Sequence, residues 1–337
     1  MLDDKLKALW ARISPPQKAA FFGCFLSGYL VHLYVFTNII PNSDGLSRIF
    51  DPQQMTVSGR WFLHFASYFN GFTQMPAVIG LFSVLFLALA AALAVSLLGI
   101  RSRALSALSG ALMAAFPAVG YTFLYLFTAS AYCFAIFLAV LSVSLARRGR
   151  WHWLAGCLLL ACSMGTYQAY VTVAIGLSLL VIFRETLDPS ASFSATLRLG
   201  VRLMLFLAAG AVLYYGILLV FLQVKDLELL SYLGMDAASS GYPFSRLPGL
   251  LLDTYKQVAA FFFLPGSANT FTSGWMAVLD LAALALGGGC FLLCMGQEGL
   301  WRARWRPLGG LAMLALRPLG INFGQILSPW SAPTPLM

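Results

Sequence analysis

Charge is what this sequence has least of. Only 10% of its 337 residues are Asp, Glu, Lys or Arg, against roughly 25% in a soluble domain. That shortage excludes an ordinary water-soluble enzyme. Acidic residues number 12 and histidines three. The six cysteines (24, 133, 157, 162, 290 and 294) all fall in apolar stretches. Cys290 and Cys294 share a helix face, but no His or carboxylate lies nearby in sequence to complete a metal site. They read as small hydrophobes. Period-two patterning, low-complexity linkers and internal repeats are absent too, which excludes a β-barrel and a solenoid.

What is present is apolar sequence in long runs. Hydrophobic residues make up 60% of the chain and the mean hydropathy is +0.82. The runs are about 20 residues long, enough to cross a hydrocarbon core of about 30 Å. Backbone in lipid has to satisfy its own hydrogen bonds, so such runs are helices. The expected fold class is an all-α polytopic transmembrane protein in one membrane domain, 1–337. Spans are expected near 19–40, 76–99, 104–121, 128–146, 151–166, 167–183, 200–222 and 275–296, with a weaker ninth near 308–326. Residues 1–14 read as an interfacial helix with a stripe of Leu6, Leu9, Trp10 and Ile13, ended by Pro15-Pro16. No small-residue cleavage site follows the first apolar run, so that run is expected to be retained. Two longer outer loops remain, 41–75 and 223–274. Within the second, 247–265 is apolar with a polar edge.

The net charge of +9 is a topology signal. Lys5, Lys7, Arg12, Lys18, Arg101, Arg103, Arg147, Arg148 and Arg150 fall on one side. Arg184, Arg198, Arg202, Arg302, Arg304 and Arg306 join them. The other side has Arg48, Arg60, Lys225, Arg246 and Lys256, and Arg317 sits inside the ninth run. Basic loops stay in the cytoplasm, so the N-terminus is expected inside. A nucleic-acid partner is not expected.

The most informative stretch is Asn42–Trp61, NSDGLSRIFDPQQMTVSGRW. It puts Asp44, Asp51, Arg48 and Arg60 in the first outer loop. A carboxylate can take a proton from an acceptor hydroxyl. It is a weak base, so it must act through positioning. Arginine binds phosphate oxygens in a planar fork. Each residue also has a plainer reading. Asp44 can cap a short helix, and Arg48, four residues on, can simply pair with it. Arg60 can snorkel. Asp51, before Pro52, reads as a turn starter. Trp61, Tyr68 and His64 can line the site or the interface. Asp280 and Arg317 are charges within apolar runs, and such charges are functional candidates. A pairing between them is one reading; a phosphate contact for Arg317 is another.

The order of an apolar span, N-x-D-x-x-x-R, S-G-R-W and a second span resembles the GtrII-like family of bacterial glucosyltransferases. GTYQAY, Gly165–Tyr170, resembles that family's YQA-type hairpin. The resemblance runs from about Phe21 to about Phe183. It implies a GT-C-type architecture in a bacterial inner membrane. It also implies glucose transfer from a polyprenyl-phosphate donor to lipopolysaccharide O-antigen or a related glycan, on the periplasmic side. Asp44 is then the expected base, and Arg48, Arg60 and Arg317 the donor-phosphate binders. Trp61, His64, Tyr167 and Gln168 are the expected sugar or acceptor contacts. Tyr167 and Gln168 read equally well as hydrogen-bond glue at a tight hairpin. The segment 223–274 is the expected acceptor-side cover.

The sequence departs from the family pattern at Ser43-Asp44, where paired acids are usual. It departs again at Thr128–Tyr132, TASAY, where an acid is usual. Members are longer, which implies spans beyond Met337. No cofactor is assigned. A divalent cation shared by Asp44 and Asp51 stays open, though two carboxylates make a poor site. The rival class is a transporter or lipid-linked sugar flippase, which predicts repeats and interrupted helices.

Overall fold

A computed structural model describes residues 2–40, 42–46, 50–230, 247–265, 273–297 and 299–324. Arg48, Arg246 and the Pro-rich end after residue 324 lie outside the described residues.

The chain is an all-α membrane bundle. It begins with α1 (Leu2–Arg12) and α2 (Pro15–Thr37). Ser14 and Gln17 form a capping box across this junction, with proline in the first turn of α2. Trp10 folds back to meet Phe22 and Lys18. The first loop holds two one-turn helices, α3 (Ser43–Leu46) and α4 (Leu63–Ala66). Next come α5 (Pro76–Leu98), α6 (Arg103–Ala115), α7 (Pro117–Leu124), α8 (Leu126–Ala146) and α9 (Arg150–Thr166). The remainder is α10 (Val171–Leu187), α11 (Phe193–Val224), α12 (Leu247–Phe263), α13 (Gly274–Gln297) and α14 (Trp305–Ile321).

Among the described residues six helices are long and apolar enough to cross a membrane, or seven if the bent pair α6–α7 is one span. Sequence reading expects eight or nine. The difference lies in α9 and α14, each 17 residues, at the short edge of what spans a bilayer. The α6–α7 break has a local cause. Pro117 pushes Phe116 out of the helical region, to φ −64 and ψ 136. The break frees carbonyls inside the apolar layer, and His32 Nε2–H donates to one of them, Ala114 O, at 2.9 Å. His32 is thus a packing residue of α2, wedged edge-on against Phe123.

Small residues set how closely the rods approach. A Cβ on Gly23 would strike the Ala107 backbone, and one on Gly110 would strike the Ala20 carbonyl. These reciprocal contacts let α2 and α6 cross backbone to backbone. Two main apolar cores result. One joins α2, α5, α6 and α8; the other joins α5, α8, α9, α10 and α11 and takes in Trp61. α5 and α8 serve both.

The bundle has two unlike ends. The first loop, the start of α8, the α9–α10 turn and the end of α11 share the loop end. The opposite end carries arginines that close helix C-termini, whose last carbonyls have no intrahelical partner. Arg184 donates to Leu97 O at 3.4 Å, over the end of α5. Arg202 Nε donates to Ala146 O at 2.6 Å, and its terminal nitrogen to Arg148 O, over the end of α8. Arg306, only 6% exposed, closes the end of α10. Its guanidinium donates to Thr186 O (3.2 Å), Asp188 O (2.6 Å), Pro189 O (3.1 Å) and Ala191 O (2.7 Å). Glu185 adds an ion pair with Arg147 at 3.3 Å. In the same turn the Asp188 carboxylate accepts from Ser190 Oγ (2.7 Å) and N (2.9 Å). Those bonds, then Arg184 and Arg306, hold its pKa below the usual carboxylate range. A depressed pKa contributes stability above about pH 4, and the contribution fades as pH falls.

Candidate active site

The first loop folds into a compact plug. Antiparallel bridges join Phe50 to Thr73 and Met55 to Arg60. Asp51 does start a turn: its carboxylate accepts from Gln53 N at 2.9 Å. Gly59, at φ 79, takes the left-handed conformation that completes the turn before Arg60.

Three of the expected site residues, Arg60, Tyr167 and Gln168, come together at the loop end. Arg60 lies with its guanidinium 4.4 Å from the Tyr167 ring centroid and donates to Tyr132 Oη at 3.2 Å. Its Nε is buried without a hydrogen-bond partner among the described residues. Tyr132 stacks on Tyr167 at 5.2 Å, and Tyr170 meets both edge-on at 5.8 and 5.7 Å. The result is a cation seated in a cradle of three tyrosines. Sequence reading missed Tyr132 and Tyr170. The signal was near, because TASAY ends on Tyr132 and GTYQAY on Tyr170.

Gln168 secures this cradle. Its amide donates to Ser58 O at 2.8 Å and to Tyr214 Oη at 3.0 Å. Tyr214 Oη in turn donates to Gly59 O at 3.0 Å. The α9–α10 turn and α11 therefore hold the 56–60 turn from two sides. Leu230 N closes it from a third, donating to Val57 O at 2.9 Å. The start of the second outer segment thus lies on the first loop. Tyr214→Phe removes one buried donor and leaves Gly59 O unpaired, at a cost of about 1–3 kcal/mol. Limited proteolysis should cut the 50–60 segment faster in that variant, while the bundle stays folded. An unchanged cleavage rate sinks the clamp.

Trp61 is buried rather than offered to a ligand. It is 6% exposed, stacks on Phe221 at 5.6 Å and fills the space over Gly165. Phe62 N donates to Gly165 O at 2.7 Å beside it. His64 Nδ1–H donates to Pro52 O at 2.6 Å, and its ring stacks on Phe72 at 5.0 Å. The Trp61 Nε1 is buried without a hydrogen-bond partner among the described residues. Tyr68 is exposed at the same end.

Asp44 is exposed on α3, and its backbone N–H is received by Asn42 Oδ1 at 2.9 Å. Gln74 donates to the neighbouring Gly45 carbonyl. A side chain on Gly45 would meet Phe127 at 3.2 Å. The α3 turn therefore rests on the first turn of α8, whereas Arg60 touches Tyr132 five residues on. That offset is about 7.5 Å along the helix and roughly 140° around it. Asp44 and Arg60 flank α8 at different depths.

Arg317 is exposed on α14, one turn from its loop-end terminus. Asp280 is half-buried on α13. Neither makes an ion pair among the described residues, so the pairing considered for them is not formed there. No group of three or more His, Cys, Asp or Glu side chains gathers among the described residues.

No curated protein and no solved structure matches this chain. A family model described as Glucosyl transferase GtrII matches residues 33–297, a stretch that includes the loop plug, the tyrosine cradle and both anchoring turns. The chain belongs to the GtrII glucosyl transferase family, and is a membrane glucosyltransferase.

Proposed function

We propose that the protein moves glucose from a polyprenyl-phosphate donor to a lipopolysaccharide O-antigen or related surface glycan. In this reading the loop end faces the periplasm of a bacterial inner membrane, and the arginine end faces the cytoplasm. One observation carries it: Arg60, a fixed cation in an aromatic cradle, with a buried Nε free to take an acceptor.

The chemistry follows from the two groups that flank α8. The acceptor hydroxyl oxygen bonds to the sugar C1 while the bond from C1 to the phosphate oxygen breaks. Asp44 takes the hydroxyl proton. The polyprenyl phosphate leaves with growing charge, and Arg60 meets that charge. A displacement needs these two roles on opposite sides of the reacting carbon. Arg48 and Arg317 are further phosphate partners in this reading. Tyr167 and Tyr132 give the sugar an aromatic wall. The broken span α6–α7 is also what a transporter would carry, but membership of a glucosyltransferase family weighs against that class.

The test is transfer of labelled glucose from polyprenyl-phosphate-glucose to a lipid-linked polysaccharide, in membranes with matched protein levels. The native chain is expected to transfer label. Asp44→Asn is expected to lower the rate by about 10²–10⁴. Transfer that survives the change removes Asp44 as base. Absence of transfer by the native chain removes the donor assignment.

A further inference from the structure

The arginine end holds a second feature, on the flank of the bundle between α9 and α11. A groove of about 640 Å³ opens there. α11 lines it with two adjacent ridges. Leu197, Val201 and Leu205, spaced by four, form an apolar ridge, and all three are well exposed. Arg198 and Arg202, one residue on, form a basic ridge beside it. α9 contributes Arg150 at its first residue and Trp153 one turn later. Among the described residues no carboxylate lines the groove.

The three arginines are not equivalent. Arg202 is committed to the end of α8 by its bonds to Ala146 O and Arg148 O. Trp153 Nε1 donates to Arg202 O at 3.4 Å, which ties the two walls together. Arg198 gives only its Nε, to Ser194 O at 3.3 Å. Arg150 lies over the Trp151 ring at 4.9 Å. Among the described residues neither Arg150 nor Arg198 has a carboxylate partner, so both line the groove unneutralised.

We propose that this groove is a binding site for an anionic phospholipid. The phosphodiester sits between Arg150 and Arg198, and an acyl chain runs along Leu197, Val201 and Leu205. The position fits, since Arg150 stands in the first turn of α9 and Arg198 in the second turn of α11, where a span meets the headgroups. Basic grooves between spans at the cytoplasmic surface attract anionic headgroups, and Trp153 lies at the depth where indoles anchor. A neutral headgroup would leave two cations uncompensated. The site is separate from the tyrosine cradle and does not rest on the transfer chemistry.

The test uses the full chain in mild detergent, titrated with phosphatidylglycerol or phosphatidylcholine and read by native mass spectrometry. Phosphatidylglycerol should be retained in preference to phosphatidylcholine. Arg150→Gln with Arg198→Gln should weaken phosphatidylglycerol binding on the order of tenfold or more and erase its preference over phosphatidylcholine. Val201→Trp, which fills the groove and keeps the charges, should cause a similar loss. Melting in phosphatidylcholine nanodiscs should be unchanged in both variants. Equal retention of the two lipids by the native chain overturns the proposal. So does full phosphatidylglycerol affinity in either variant. Displacement of phosphatidylglycerol by equimolar polyprenyl phosphate overturns the phospholipid assignment.

Discussion

Arg60→Ala is expected to lower glucose transfer by about 10²–10³, the usual cost of removing one fixed group that meets transition-state charge. The cation is held in place before any donor arrives, by Tyr132 Oη at 3.2 Å and the Tyr167 ring at 4.4 Å. Lysine does not substitute for it. An ammonium keeps the charge but has no planar fork to share between a phosphate and a ring. Arg60→Lys should therefore stay at least tenfold below the native rate. Initial rates with labelled donor, at saturating acceptor and matched protein, decide the matter. Either variant transferring within threefold of native removes Arg60 from the donor site. The fold is not the issue in this test, because Arg60 sits at the rim of the plug and Trp61 beside it fills the core.

Arg306→Ala should have the largest effect on stability. The side chain is 6% exposed and donates to four carbonyls, one of which, Asp188 O, also accepts from Ala191 N at 3.0 Å. Removing it strands the carbonyl of the buried Thr186 and loosens the half-exposed turn after it. Leaving a buried acceptor unpaired costs about 1–3 kcal/mol, with the lost charge-assisted bonds adding to it, a large part of the 5–15 kcal/mol that holds a typical domain. Thermal unfolding in detergent, followed by tryptophan fluorescence, should show a large fall in melting temperature and a poor folded yield. Arg306→Lys restores charge but presents a single donor point, so it should recover less than half the loss. Transfer per folded molecule should be unchanged in the lysine variant. A melting temperature for Arg306→Ala equal to native contradicts the clamp.

The helices were legible in the sequence wherever a run of apolar residues was bounded by charge or proline. The expected 76–99, 128–146 and 275–296 fall almost on α5, α8 and α13. The expected 104–121 ran through Pro117, since hydropathy averages over a break that one proline makes. Arg306 read only as a cytoplasmic charge, because its four partners lie 115 to 120 residues away. The tyrosine cradle was hidden for the same reason. Arg60 and Tyr132 are 72 residues apart, and no periodicity links them. Trp61 misled in the opposite direction: next to an arginine in a polar loop it reads as a surface ring, yet Gly165 makes a slot that buries it. Local chemistry was readable, as at Asp51. Distant partnership was not.

The clamp on the 56–60 turn fixes an order of assembly. The loop is synthesised early, but its anchors come late. Gln168 follows Ser58 by 110 residues, and Tyr214 follows Gly59 by 155. At ordinary synthesis rates the second interval is roughly 8–30 s. Through that interval the turn lacks its Tyr214 anchor. The cradle can close only when α9, α10 and α11 have entered beside it. A nascent or prematurely ended chain thus keeps its transfer loop unset, and competence arrives as a late step of insertion.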